Sequence, residues 1–539
     1  MSCITGGASQ NSFGSGSAGD SIGACGNPRD YADDFLIANA RLVDRDRDEM
    51  GAVFVHGGKI AAVYTGDEAE RVKSDIERMS SDCGEPFYPG PPEIYDARGL
   101  VLMPAFVDLH AHFRDPGYTK KEDIMTASRA AVAGGYSTVV LMANTNPVIS
   151  DQSAAEAVNA RIREIGLVDS FQAVSLTRNF DGRDTTALDD LDASIVPIAT
   201  EDGREVSSSS VMLEAMKKCA GRGVIVSCHC EDPDLALAAK PFREAYLRSL
   251  DANARETARA SARVNAVTSV IANTNASSSL ADAGRLLALA EDIMTSRNLE
   301  LAFEAGCRVH IAHVSTANSL DAVRRAKVRS ASAGTANFSV TGEISGEATS
   351  HLTSTVIGEA TSHLTSTVSC EVTPHHLSLT NELNEIVNPP LRSEADRQAL
   401  IDGILDGTVD AIATDHAPHT AEDKAAGAPG FSGIQTAFSV CYTSLVKTGR
   451  ISLSLLSALM SANPASILGL KRGLLSSGYD ADLVLVDPDA RITVDVSGDS
   501  EKCAGECWFS LGKNTPFAGK TLDGKILATY KKGREVFRS

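Results

Sequence analysis

Leu102-Met-Pro-Ala-Phe-Val-Asp-Leu-His-Ala-His112 is a short apolar run that ends in two histidines one residue apart. Its first nine residues, Leu102–His110, have the length and composition of a buried strand. Residues i and i+2 of a strand project the same way, so His110 and His112 can grip one cation together. On its own the pair says little, because a histidine among core strand residues is more often simply hydrogen-bonded in place.

Seven further strands follow downstream: Ser137–Met142, Phe171–Leu176, Ile195–Thr200, Val224–Cys228, Arg308–His313, Ser369–Val372 and Ala411–Thr414. Helix-like stretches lie between them, among them Lys121–Ala133, Ser153–Ile165, Ser209–Cys219 and Arg392–Leu405. Strands alternating with helices indicate a parallel α/β fold, and eight of them predict a (β/α)8 TIM-like barrel over residues 101–471. Short strand patterns also occur before the barrel, at Phe35, Gly51 and Lys59, and after it, at Asp482, Ile526 and Glu535. They predict a small discontinuous β-sandwich domain formed from both termini, residues 31–100 plus 472–539. Residues 1–30, rich in Gly, Ser and Ala, read as a disordered tail.

Two insertions interrupt the barrel spacing, near 254–298 and 328–368. In the second, Gly346–Val356 recurs word for word as Gly358–Val368, too short a repeat for a solenoid. It reads as a duplicated surface segment. His351 and His363 inside it have no neighbours that would fix a ligand geometry.

The 539 residues are 43% hydrophobic, ample for a large core. A net charge of −20 argues against a nucleic-acid or anionic-membrane partner, both of which need a positive surface. No stretch has the roughly 20 apolar residues that span a bilayer, and the N-terminus lacks the pattern of a secretory signal. The eleven cysteines form no framework of paired clusters, so most read as reduced and buried, and the chain as cytoplasmic.

Polar, metal-competent residues gather where barrel enzymes keep their active sites, at the C-terminal ends of the strands. Strand one ends in His110 and His112, strand two in Asn144, strand four in Asp202, strand five in His229, strand six in His313 and strand eight in Asp415. Four histidines and two aspartates at one mouth suffice for one or two divalent metals. Asp108, deeper on strand one, reads as a structural hydrogen-bonding residue, and His310 as core. His375 and His376 read either as support for the ligands or as loop packing. Cys228 and Cys230 flank His229 and face away from it, and His416 points away from the metals.

These residues carry a resemblance. Val107-Asp-Leu-His-Ala-His-Phe-Arg-Asp-Pro-Gly117 and Ala411-Ile-Ala-Thr-Asp-His-Ala-Pro-His419 resemble the two signatures of dihydroorotases in the amidohydrolase superfamily, closest to the bacterial class I type. His229-Cys-Glu-Asp, His313-Val-Ser-Thr, Glu371-Val-Thr-Pro-His-His-Leu377, Asn388-Pro-Pro-Leu-Arg392 and Lys513-Asn-Thr-Pro-Phe-Ala-Gly519 are similar in order and spacing. Ala105, Ala143, Glu201 and Gln435 depart from the usual pattern without removing a ligand.

The resemblance implies zinc, one or two ions per subunit, with His110 and His112 on one metal and His229 and His313 on the second. Asp202 would be the carboxylate able to bridge them. Many relatives use a carboxylated lysine there, but no lysine occurs between Lys121 and Lys217. Asp415 would be both ligand and proton shuttle. Arg114 and Asn144 would hold the substrate carboxylate, with Asn388, His419 and the Ala428-Pro429-Gly430 turn completing the pocket. The implied reaction is reversible cyclisation of N-carbamoyl-L-aspartate to dihydroorotate in a homo-oligomer, with association to aspartate carbamoyltransferase as a further expectation. The rivals are an allantoinase or hydantoinase, whose neutral rings offer Arg114 no carboxylate, and a catalytically silent scaffold.

Overall fold

The computed structural model describes residues 34–82, 92–260, 266–336, 367–498 and 507–539. The tail 1–30, His351, His363 and the duplicated segment apart from Thr367 and Val368 lie outside the described residues. Eight parallel strands form the centre: β1 (Phe106–Ala111), β2 (Tyr136–Leu141), β3 (Asp169–Gln172, resuming at Val174–Ser175), β4 (Ile198–Thr200), β5 (Ile225–Cys228), β6 (Val309–Ile311), β7 (Val368–Val372) and β8 (Ala411–Ile412). Each pairs with the next in order. The ring closes where Ala111 bridges His416 and the His112 amide donates to the His416 carbonyl at 2.9 Å. Asp108 stitches that seam, accepting from the Thr414 amide at 2.9 Å and its hydroxyl at 2.5 Å.

The expected run Leu102–His110 is two strands. Val101–Pro104 belongs to the flanking sheet, antiparallel to Leu483–Thr493 and parallel to Phe35–Val43. The chain crosses to the barrel at Ala105, whose amide donates to Asp482. Both strands are fully buried and the residues on either side of the step, Val101–Pro104 and Ala105–Val107, are all apolar, so nothing in the polarity pattern marks it. The helices start where side chains cap them: Asp123, Asp151, Ser208 and Ser393 each accept the amide three residues on. The helix expected from Lys121 therefore begins at Ile124, after its Asp123 cap.

Strands from both termini share one eight-stranded sheet. The Phe35 and Tyr530 rings meet at 5.8 Å although two strands separate theirs, so the sheet folds over itself around Ile37, Leu42, Val53, Leu102 and Leu485. Asp169, at the start of β3, locks this domain to the barrel through Arg472 at 3.0 Å, Lys531 at 2.9 Å and Lys532 at 3.3 Å.

Between β5 and β6 run two long helices, Pro233–Ala260 and Ala266–Ala305, packed together through Ala239, Ala283 and Leu287. Residues 254–298 thus lie largely in helix, including the Asn-Thr-Asn-Ala-Ser-Ser-Ser patch. The pair reaches the barrel mouth: Glu291 accepts from the amides of Ser315 at 2.8 Å and Thr316 at 3.1 Å and pairs with Arg392 at 3.1 Å. Cys219, Cys228, Cys230, Cys307, Cys370 and Cys441 are free and buried, whereas Cys507 is disulfide-bonded. Among the described residues no helix is long and apolar enough to cross a membrane.

Candidate metal centre at the barrel mouth

The strand ends bring all six expected ligands together. Asp202, just past β4, is the hub. One carboxylate oxygen lies 3.5 Å from His110 Nε2, 3.2 Å from His229 Nδ1 and 3.8 Å from His313 Nε2, and the other lies 3.7 Å from His112 Nε2. Asp415, past β8, stands 3.1 Å from His112 Nε2 and 3.7 Å from His110 Nε2. Two overlapping groups have ligand atoms close enough to share an ion: His110, His112 and Asp415, and His110, Asp202 and His313.

Burial would favour the protonated carboxyls. Instead His110, His229 and His313 hold Asp202 well below the usual carboxylate range, and His112, aided by His110 and His313, holds Asp415 low. Both aspartates are therefore anionic at neutral pH. His110 Nε2 and His313 Nδ1 are buried and make no hydrogen bond, and His229 Nδ1 sits 3.0 Å from His313 Nε2. Buried imidazole nitrogens left without a partner, as His110 Nε2 and His313 Nδ1 are, are costly in a bare protein. They are what a divalent cation satisfies, and a nitrogen and carboxylate set suits zinc among others. The residues fit a metal.

The supporting residues are less uniform than expected. Asn144 does not face Arg114: its amide oxygen meets His112 Nδ1 at 2.9 Å and its amide nitrogen donates to Asp202 at 2.9 Å. It thus ties together two candidate ligands. Arg114, with φ of 59°, turns from β1 toward the loop after β8, donating to the Pro418 carbonyl at 3.2 Å and facing His419 Nε2 at 3.2 Å. Among the described residues no carboxylate lies within 4.0 Å of its guanidinium. Gly117 keeps this loop close to Asn146, since a Cβ there would come within 2.0 Å of the Asn146 carbonyl oxygen. His419 is pushed down to about 3 by burial and by Arg114, Lys121 and Lys424, so it is neutral beside Arg114. Its Nε2 also lies 2.9 Å from the Pro429 carbonyl, and the Ala428 and Gly430 carbonyls accept from Lys424. Asn388 is held at both ends, accepting from Arg243 at 2.5 Å and donating to Glu231 at 3.0 Å.

Residues 101–536 match the Amidohydrolase family. Dihydroorotase from Clostridium botulinum is 35% identical over 507 residues, covering 94% of this chain and 100% of the relative. Dihydroorotase from Bacillus subtilis is 35% identical over 454 residues, covering 82% and 89%. The chain belongs to the dihydroorotases of the amidohydrolase family. Among solved structures, L-hydantoinase from Arthrobacter aurescens aligns with a TM-score of 0.68 at 23% identity, covering 94% of this chain and 96% of that one. Dihydropyrimidinase from Brevibacillus agri aligns at 0.67 and 18% identity, covering 94% and 95%. At such identities the two structures bear on the fold alone, a TIM-like barrel.

Other readings settle with the geometry. His310 is buried core, but its Nδ1 meets the Ser369 hydroxyl at 2.8 Å and its Nε2 lies 3.1 Å from Glu371. His376 is fixed by Thr373 and the Pro389 carbonyl, and His375 packs edge-on against Phe431. His416 accepts from the Gly433 amide at 3.2 Å and points to Glu122, away from the ligands. Three further groups at the mouth become evident in space. Lys121 pairs with Asp423 at 3.3 Å across the mouth, Arg243 reaches in from the first long helix, and Glu371 lies beneath His110. Only Glu371 left a usable signal: an acid in a fully buried strand with no other charged residue needs a partner.

Proposed function

We propose that this chain catalyses the reversible cyclisation of N-carbamoyl-L-aspartate to (S)-dihydroorotate and water, the third step of de novo pyrimidine (UMP) biosynthesis. One observation carries the choice of substrate. A partly buried guanidinium, Arg114, stands at the end of the strand that bears His110 and His112, with Asp415, Asp202, Asp423 and Glu122 in its surroundings but no carboxylate of the described chain within 4.0 Å of it. A planar guanidinium matches a carboxylate bidentately. Dihydroorotate supplies one and hydantoin does not, so the hydantoinase reading fits less well. The full ligand set fits a working site better than a silent scaffold.

His110, His112, Asp202, His229, His313 and Asp415 would hold one or two zinc ions, which would supply Lewis acidity and hydroxide at neutral pH. In the hydrolytic direction Asp415, anionic and 3.1 Å from His112, takes the proton of the attacking water. The water oxygen bonds to the ring carbonyl carbon, the carbon–nitrogen bond breaks, and Asp415 returns the proton to the departing nitrogen. Ring closure runs the same steps backwards. Arg114 orients the ring by its carboxylate. Asn144 donates one amide hydrogen to Asp202 and keeps a second that can join Arg114 on the carboxylate. Asn388, His419 and the Ala428–Pro429 turn would close around the rest of the ring.

The other readings, a homo-oligomer that associates with aspartate carbamoyltransferase, rest on the family likeness alone, and the cytoplasmic location on the cysteine pattern. Purified protein should interconvert N-carbamoyl-L-aspartate and dihydroorotate and leave hydantoin and allantoin nearly untouched. Faster turnover of either neutral ring would reverse the assignment.

A further inference from the structure

Beneath the metal centre lies a polar chain that no step above uses. Glu371 on β7 is completely enclosed. One carboxylate oxygen faces His110 Nδ1 at 3.3 Å and the other faces His310 Nε2 at 3.1 Å. His310 is anchored in turn by the Ser369 hydroxyl at 2.8 Å. Ser369 and Glu371 are two apart on one strand, so both point to the same side. His110 and His310 come from β1 and β6. An enclosed carboxylate is expensive unless charge or hydrogen bonds satisfy it; neither oxygen has an aligned hydrogen bond here, and the two imidazoles meet it as ion-pair neighbours.

The two histidines of the His110-Ala-His112 pair are thus backed differently. Both aim Nε2 at Asp202 and Asp415. Behind them, Nδ1 of His112 meets a neutral amide, that of Asn144, whereas Nδ1 of His110 meets a carboxylate. A carboxylate accepting from the far nitrogen of a ligand imidazole fixes its tautomer and ring orientation and strengthens its donation to a metal.

We infer that Glu371, braced by His310 and Ser369, is a positioning residue that orients His110 and raises its affinity for a divalent cation. The inference rests on the proposed metal centre. Glu371 does not touch substrate and acts through His110. A glutamine at 371 would keep the shape and an acceptor oxygen but lose the charge.

The test is metal binding by the full chain, read without turnover. Apo-protein is titrated with Co2+ alone in competition with a chromogenic chelator, and the visible spectrum of the bound ion is recorded. Glu371→Gln should bind the ion about 10–100-fold more weakly than the native chain, with a shifted cobalt spectrum. His310→Gln, which removes the brace but keeps the carboxylate, should show a smaller loss in the same direction. Circular dichroism identifies the folded variants. Should Glu371→Gln fail to fold, the His310→Gln titration decides alone. Native affinity and spectrum in the folded variant would overturn the inference. If the native chain itself bound no Co2+, the metal-centre reading would fail instead.

Discussion

Removing the Arg114 guanidinium should separate charged from neutral substrates. Without ligand the group donates to one carbonyl, that of Pro418, at 3.2 Å, and faces neutral His419. A bound carboxylate would replace this with two parallel charge-assisted bonds, each worth roughly 1.5–3 kcal/mol. Releasing Pro418 returns about 1 kcal/mol of that gain. The net loss in Arg114→Ala is therefore about 3 kcal/mol, or roughly 150-fold in kcat/KM for dihydroorotate at about 1.4 kcal/mol per tenfold. A neutral ring such as dihydrouracil gains nothing from the guanidinium and should lose less than about threefold. Arg114→Lys keeps the charge without the fork and should fall between. The assay is initial-rate hydrolysis of both rings by native and variant proteins with metal content matched. Equal losses on the two rings would refute the carboxylate clamp.

Two further outcomes concern stability. Asp169 is brought down from an ordinary 3.8 to about 2, against burial, by Lys531, Arg472 and Lys532. Because the folded value is the lower one, the stabilisation is present above about pH 4 and is lost as pH falls through about 2. Asp169→Asn should cost roughly 2 kcal/mol in urea unfolding at pH 7, and the gap should about halve by pH 3. A gap that did not change with pH would rule out the ion-pair lock. Glu291 is a buried partner of Arg392, so Glu291→Ala strands a buried cation and should cost about 3–5 kcal/mol, measured the same way. A cost below about 1 kcal/mol would show that the long helices do not brace the mouth.

The barrel was legible because most strands are short runs rich in apolar residues that lead into a polar, metal-competent residue or a helix start. The six ligands were legible for the same reason: strand ends converge in a closed barrel wherever they lie in sequence. What escaped was information held only in space. The step at Ala105 leaves no mark, because the residues on both sides of it, Val101–Pro104 and Phe106–Val107, are apolar and buried. Asn144 has the right chemistry for a carboxylate, and only the distances to His112 and Asp202 show it tying ligands together. Arg243 and Glu291 come from the two long helices after β5, whose length gives no hint that they reach the mouth. Glu371 stood in a quoted motif without a role, since its partners lie on two other strands.

The most direct test of the central claim joins metal content and activity in one sample. Protein stripped by a chelator should lose dihydroorotate hydrolysis and regain it on titration with Zn2+, in step with one or two ions bound per chain. Hydrolysis that persists in rigorously metal-free protein, or zinc uptake without restored activity, would contradict a zinc-dependent dihydroorotase built on His110, His112, Asp202, His229, His313 and Asp415.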